Sequence, residues 1–154
     1  MNYLPRVAFW NASGLWMKPP EADKRHTSKA MRRRRQKRRF LLRHARGADV
    51  LVITEANVIP TDKTGLDHWL SLTAWTATLP DGTNTWTQAA DSGFRGVLVL
   101  MRKTFVAKSD LSFTTILPQY VVHLAVAKKG GATVGSVTGV YYQTGNPAYQ
   151  ASDA

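Results

Sequence analysis

Apolar positions along the 154 residues come in short runs, and the spacing within each run decides which element it predicts. "ADVLVITEA" (residues 48–56) is apolar on both faces and predicts a central strand covered on each side. The shorter run at residues 7–10, closed by Asn11 and the Ser13-Gly14 pair, predicts a buried strand and a turn. "GVLVLMRK" (96–103) and "YVVHLAVAKK" (120–129) predict two further strands, and "KKGGAT" predicts a hairpin turn from the latter into "VGSVTGVYY". Between them, residues 60–94 are rich in turns, although Leu66, Trp69 and Leu70 have the i, i+3, i+4 spacing of one helical turn.

One segment follows no such pattern. Pro19 and Pro20 forbid a regular helix or central strand where they stand. Beyond them, Thr27 or Ser28 is placed to cap a helix running to about Ala45, and Gly47 to end it in the left-handed conformation. Only Ala30, Met31, Phe40, Leu41, Leu42 and Ala45 can dock that helix on a sheet. Its middle, "RRRRQKRR" (32–39), has no apolar residue on any face, so it is expected to be exposed or frayed by like charges one turn apart. Strands alternate with helix in the first part and form a β-meander in the second, with no internal repeat. The expected class is α/β (α+β) with a largely antiparallel sheet, in one domain spanning 1–154.

Charge sharpens this picture. Of 21 Lys and Arg, twelve lie in residues 24–46 with no acid among them, leaving nine basic against ten acidic residues elsewhere. The whole excess behind the net charge of +11 therefore sits in one predicted helix. Concentrated Lys and Arg displace counterions from phosphate backbones, which makes a nucleic acid the expected partner and Arg32, Arg33, Arg34 and Arg35 the expected contacts. The same run suits a solvated helix face or a nuclear-import receptor, so the expected location is intracellular with the nucleus favoured. The absence of Cys excludes disulfides and thiolate metal sites. No apolar run approaches the roughly 20 residues of a membrane span, and residues 1–16 lack the charged and apolar regions of a secretion signal. The expectation is a protein with no membrane partner.

Candidate chemistry lies at strand ends. Asn11, Glu55 and Tyr141 each close a predicted strand, and if those strands are neighbours the three converge on one rim. Each has a plainer reading: Asn11 as a turn former, Glu55 as a solvated strand-end carboxylate, and Tyr141 or Tyr142 as a packing aromatic. His26, His44, His68 and His123 fall in no ligand spacing.

"FWNASGL", a helix, "ADVLVITEA", "GFRGVLVLMRK" and "VTGVYYQTGNP", taken in that order, resemble the first half of the endonuclease/exonuclease/phosphatase superfamily. The variant "TEA" beside a basic helix is closest to the endonuclease domains of non-LTR retrotransposons. The resemblance implies the N-terminal part of a two-sheet β-sandwich flanked by helices, and metal-dependent cleavage of phosphodiesters, with DNA favoured over RNA. It implies that Glu55 ligates Mg²⁺ or Mn²⁺, that Asn11 orients the scissile phosphate or the attacking water, and that Tyr141 bonds a phosphate oxygen. Arg95, in "GFRG", would contact the nucleic-acid backbone or be an ordinary loop residue.

The departures from that pattern set further expectations. Some relatives carry an acid at the position of Ser13. The family's Gly-Asp-x-Asn and terminal Ser-Asp-His motifs do not occur in these 154 residues. The expectation is therefore a truncated, inactive phosphodiesterase domain whose second sheet is missing and whose uncovered apolar sheet face invites self-association. The alternative is a basic nucleic-acid-binding module without catalysis.

Overall fold

The computed structural model describes residues 4–15, 24–87 and 96–141, with the side chains of residues 24–28 and 30 excepted. The molecule has its two longer helices on one side, a four-stranded sheet in the middle and a three-stranded sheet on the other side. The middle sheet has the order β1 (Val7–Asn11), β2 (Val50–Thr54), β4 (Val97–Arg102) and β3 (Trp75–Thr76). β1 runs parallel to β2 and is joined to it through the helix α1 (Lys24–His44); the other pairs are antiparallel. The second sheet is an antiparallel meander of β5 (Ser109–Leu117), β6 (Val121–Lys128) and β7 (Thr133–Val140). The shorter helices are α2 (Lys63–Ser71) and α3 (Lys103–Ala107).

β2 and β4 are where the apolar pattern predicted a doubly covered strand. Their side chains alternate between two cores, as the pleat requires. Leu51, Ile53, Leu98 and Leu100 face Leu41 of α1, Ala45 just past its end, and Leu66 and Leu70 of α2. Val50, Val52, Val97, Val99 and Met101 face Val122, Leu124 and Val126 of β6. Each fully buried aliphatic side chain of this kind contributes roughly 1.5–3 kcal/mol.

The second core corrects an expectation. The apolar face thought to lie open is covered by this chain's own second sheet. Residues 109–117 carry a weak strand signal, because their outer positions include Asp110, Ser112 and Thr114 and their inner ones, Leu111 and Phe113, are only half-buried. With β5 in place, β6 has neighbours on both edges, and the meander closes over β2 and β4. The apolar residues still exposed on the middle sheet are Val7 and Phe9 of its edge strand β1.

α1 also departs from expectation. It is continuous through the basic run, and Thr27 and Ser28 lie inside it rather than at its start. Gly47 is not in the left-handed region. Instead, Arg102, at the end of β4, satisfies the open carbonyls past α1, donating Nη2 to Ala45 O and Arg46 O and Nε to Ala48 O at 2.7–3.3 Å. Its guanidinium lies over the Trp75 ring, 4.6 Å from the centroid. The next residue does the same for α2: Lys103 Nζ donates to Leu70 O, Ser71 O and Thr73 O. Two adjacent cations at one strand end thus terminate both helices.

Gly139 of β7 marks a close approach of the sheets. A Cβ there would stand 2.8 Å from Val52 Cγ1 and 3.1 Å from Val122 Cγ2. Gly139→Ala should destabilise the fold by about 1–3 kcal/mol through overpacking. Gly47→Ala, with nothing within 4 Å of the new methyl, should cost nothing or add a few tenths. Urea denaturation of the two variants measures the contrast, and equal midpoints would refute the closed sandwich.

Candidate functional site

The C-terminal ends of β1, β2 and β7 meet at one rim because the parallel register sets Asn11 opposite Thr54 and β7 lies over β2. Past the strand ends the backbone pairing continues irregularly: Ala12 N–H donates to Thr54 O, Gly14 N–H to Glu55 O and Leu15 N–H to Ala56 O. Loop 12–15 is thereby tied to the segment that carries Glu55.

Glu55 is half-buried and held by both of its oxygens. The Tyr141 hydroxyl donates to Oε1 at 2.7 Å and the Ser13 hydroxyl to Oε2 at 3.1 Å. The first of these bonds joins the two sheets. Tyr141 is itself fixed by burial, by its N–H bond to Tyr120 O and by stacking on the Tyr120 ring at 6.1 Å, with the planes 4° apart. Asn11 is exposed, and its Oδ1 accepts the Ser13 N–H at 3.1 Å, an Asx-type turn that leaves the amide N–H₂ directed to solvent.

The backbone here is held in an unusual state. Ser13, Glu55 and Asn57 have φ of 46°, 51° and 58°, beside Gly14 at 84°. A non-glycine residue in the left-handed region costs about 1–2 kcal/mol. Such outliers collect where surrounding structure overrides local preference, often at functional sites.

α1 supplies the positive side of the site. Lys37 Nζ donates to Ala12 O at 2.8 Å, Ser13 O at 3.0 Å and Gly14 O at 3.3 Å. Arg34 reaches Ser13 O and Arg38 reaches Leu15 O. Burial, then the adjacent Arg34 and Arg33, lower the pKa of the Lys37 ammonium, while Glu55 opposes that shift. Burial also lowers the pKa of Arg34 and Arg38. The middle of the basic run is therefore two-faced rather than wholly exposed. Arg34, Lys37 and Arg38 clamp the loop, whereas Arg32, Arg33 and Arg35 are exposed and form no ion pair among the described residues.

Of the residues singled out in the sequence, Glu55 and Tyr141 are in direct contact, and Asn11 joins them through Ser13. Arg34 reaches the same loop. Arg95 lies outside the described residues. Ser13 stands where some relatives carry an acid, and its hydroxyl bonds the Glu55 carboxylate; Lys37 is a partner of the site that the sequence pattern did not single out. Lys37 carried a signal, because it lies three residues after Arg34 and four before the buried Leu41, on the face that meets the sheet.

One carboxylate stands at the rim, and among the described residues no three of His, Cys, Asp or Glu lie close enough to hold a metal ion. Mg²⁺ commonly binds protein through one or two carboxylates and fills its shell with water and substrate phosphate. Glu55 fits that mode. Thr54 Oγ1, one residue earlier, is buried without a hydrogen-bond partner, which a water or ion between the sheets would provide. The donor set suits a weak, substrate-completed cation site.

No protein-family model matches the sequence, and no curated protein matches it.

Lys37→Met would take the side-chain donor from Ala12 O and Gly14 O, leave Ser13 O to Arg34 alone, and should destabilise the protein by about 1 kcal/mol. Amide exchange at residues 12–15 should also accelerate. Arg33→Gln, on the exposed face, should change stability by less than about 0.5 kcal/mol. Urea titration with hydrogen exchange resolved by residue would read both, and unchanged exchange in the Lys37 variant would refute the clamp.

Proposed function

We propose that this chain is a nucleic-acid-binding domain built on an endonuclease/exonuclease/phosphatase-type two-sheet sandwich, in which Glu55 is a divalent-cation ligand and hydrolysis by the chain alone is absent. The observation that carries the reading is the Glu55 carboxylate, buttressed from both sheets and held on a left-handed backbone at a strand-end rim. A solvated strand-end acid needs neither feature.

Within this reading each residue has a defined task. Tyr141 and Ser13 orient the carboxylate. The Tyr141 hydroxyl has a single proton, and Glu55 accepts it, so Tyr141 positions the ligand rather than donating to a phosphate. Asn11, with its oxygen engaged by Ser13, presents its amide N–H₂ to a phosphate oxygen. Lys37 and Arg34 keep the loop positive, which favours approach of a phosphodiester. Bound Mg²⁺ or Mn²⁺ would supply Lewis-acid charge to that phosphate. The Gly-Asp-x-Asn and Ser-Asp-His motifs that the resemblance associates with proton transfer do not occur in these 154 residues. Groups that act as a catalytic unit lose nearly all effect when part of the unit is removed.

The basic-module reading shares the nucleic-acid partner and omits the metal. The exposed Arg32, Arg33 and Arg35 support it, since they face solvent without acidic partners among the described residues. The two readings part at Glu55. Among the described residues no helix is long and apolar enough to cross a membrane.

Titration with Mn²⁺ should broaden the amide resonances of residues 13, 55 and 56, and Glu55→Gln should abolish the broadening. Neither protein should nick supercoiled plasmid in Mg²⁺ or Mn²⁺. DNA binding should survive Glu55→Gln and fall steeply with salt. Broadening that persists in the variant would remove Glu55 as the ligand and leave the basic module. Nicking lost only in the variant would show that the domain is a working nuclease.

A further inference from the structure

Beside the rim, α1 and the edge strand β1 enclose a cleft that the Glu55 site does not use. Ala8, Trp10, Leu41, Ala45 and Leu51 form its walls and floor, and Phe9, Phe40 and His44 form its mouth, around a volume of about 170 Å³. A protein cavity of roughly 150 Å³ accommodates one benzene-sized ring. Three rings gather here. The Phe40 and His44 centroids are 4.1 Å apart, and those of Phe40 and Trp10 are 6.3 Å apart. Phe40 is 55% exposed and Phe9 60%, in a protein whose other aromatic side chains in the two cores are largely covered.

What surrounds the cleft decides what enters it. On a helix, residues three, four and seven apart share a face, so Arg33, Gln36, Phe40 and Arg43 lie in one stripe. Arg33 and Arg43 are exposed and stand about 15 Å apart along the axis, at 1.5 Å per residue. No acid occurs in residues 24–46. The cleft is therefore an apolar, aromatic-lined slot flanked by fixed positive charge. A second copy of the chain docked across it would bring two such helices together, and like-charge repulsion opposes that. An apolar peptide would bury the slot and leave the arginines without counter-charge. An unpaired nucleotide satisfies both parts, with its base against the rings and its phosphates on the arginines.

We infer that this cleft binds an unpaired base of a single-stranded nucleic acid by stacking on Phe40 and Trp10, with Arg33 and Arg43 taking the flanking phosphates. The inference narrows the nucleic-acid partner of the proposed function to one with single-stranded character. It requires no metal. Its lining offers one polar side chain, His44, so binding would be tolerant of sequence, as stacking platforms are.

The test uses the intact chain in EDTA, which keeps it independent of Glu55 and its cation. A fluorescent oligothymidylate and the same strand annealed to oligoadenylate are titrated at fixed salt. Phe40→Leu, at a half-exposed position, should weaken single-strand binding about ten-fold and leave the duplex unaffected. Arg43→Gln should reduce the salt dependence of single-strand binding. Ultraviolet crosslinking of a bromouracil-substituted strand to the unmutated protein provides a readout that needs no variant, and adducts should map to Trp10, Phe40 or His44. Adducts confined to other residues would overturn the inference. So would equal loss for single strand and duplex, an unchanged Phe40→Leu, or no binding of the oligothymidylate. The Mn²⁺ response at Glu55 stands or falls separately.

Discussion

The antiparallel pairing of β2 with β4 is the constraint on which the rest of this structure hangs. Both strands are buried on both faces, so they must be covered twice, once by helices and once by a sheet. That requirement organises everything else. β1 and β3 extend the pair, α1 and α2 close one side, and β5–β7 close the other. The ends of the central pair then become the only parts of it that reach solvent. At one end of β2 stands Glu55, and at the end of β4 stand the two cations that terminate both helices.

The basic helix shows how a repulsive sequence is made compatible with order. Like charges one turn apart destabilise a helix by a few tenths of a kcal/mol per pair. Here Arg34, Lys37 and Arg38 donate to backbone carbonyls of the rim loop, while Arg102 satisfies the carbonyls beyond the helix end. The carbonyl oxygens stand in for the missing acids. One arc of the helix serves the fold and the opposite arc stays exposed, so a single basic run divides into two faces.

Much of the scaffold was legible because burial leaves a simple trace. Residues 50–53 and 97–101 are apolar without interruption, and Leu66 and Leu70 keep helical spacing, so these elements could be read directly. The hairpin at Gly130 could be read from its turn residues, with φ of 74°. β5 was hidden because a half-exposed strand of Ser and Thr carries little hydrophobic contrast. The roles of Lys37, Arg102 and Lys103 were hidden for another reason: a cation donating to a distant carbonyl leaves no periodicity at all. At the rim, strand-end positions named Asn11, Glu55 and Tyr141, but not the geometry between them. The left-handed backbone at Ser13, Glu55 and Asn57 defies local preference and is imposed by the long-range bonds around it.

That backbone sets two energies against each other at position 55. A glycine there would adopt φ of 51° without steric cost, but it would give up both hydrogen bonds of the carboxylate and leave the buried Tyr141 hydroxyl without that acceptor. Relief of the backbone and loss of the bond between the sheets are of similar size, about 1–2 and about 1–3 kcal/mol. The acid at residue 55 is thus a strut between the two sheets, and its strained backbone is held in place by the bonds its own side chain accepts.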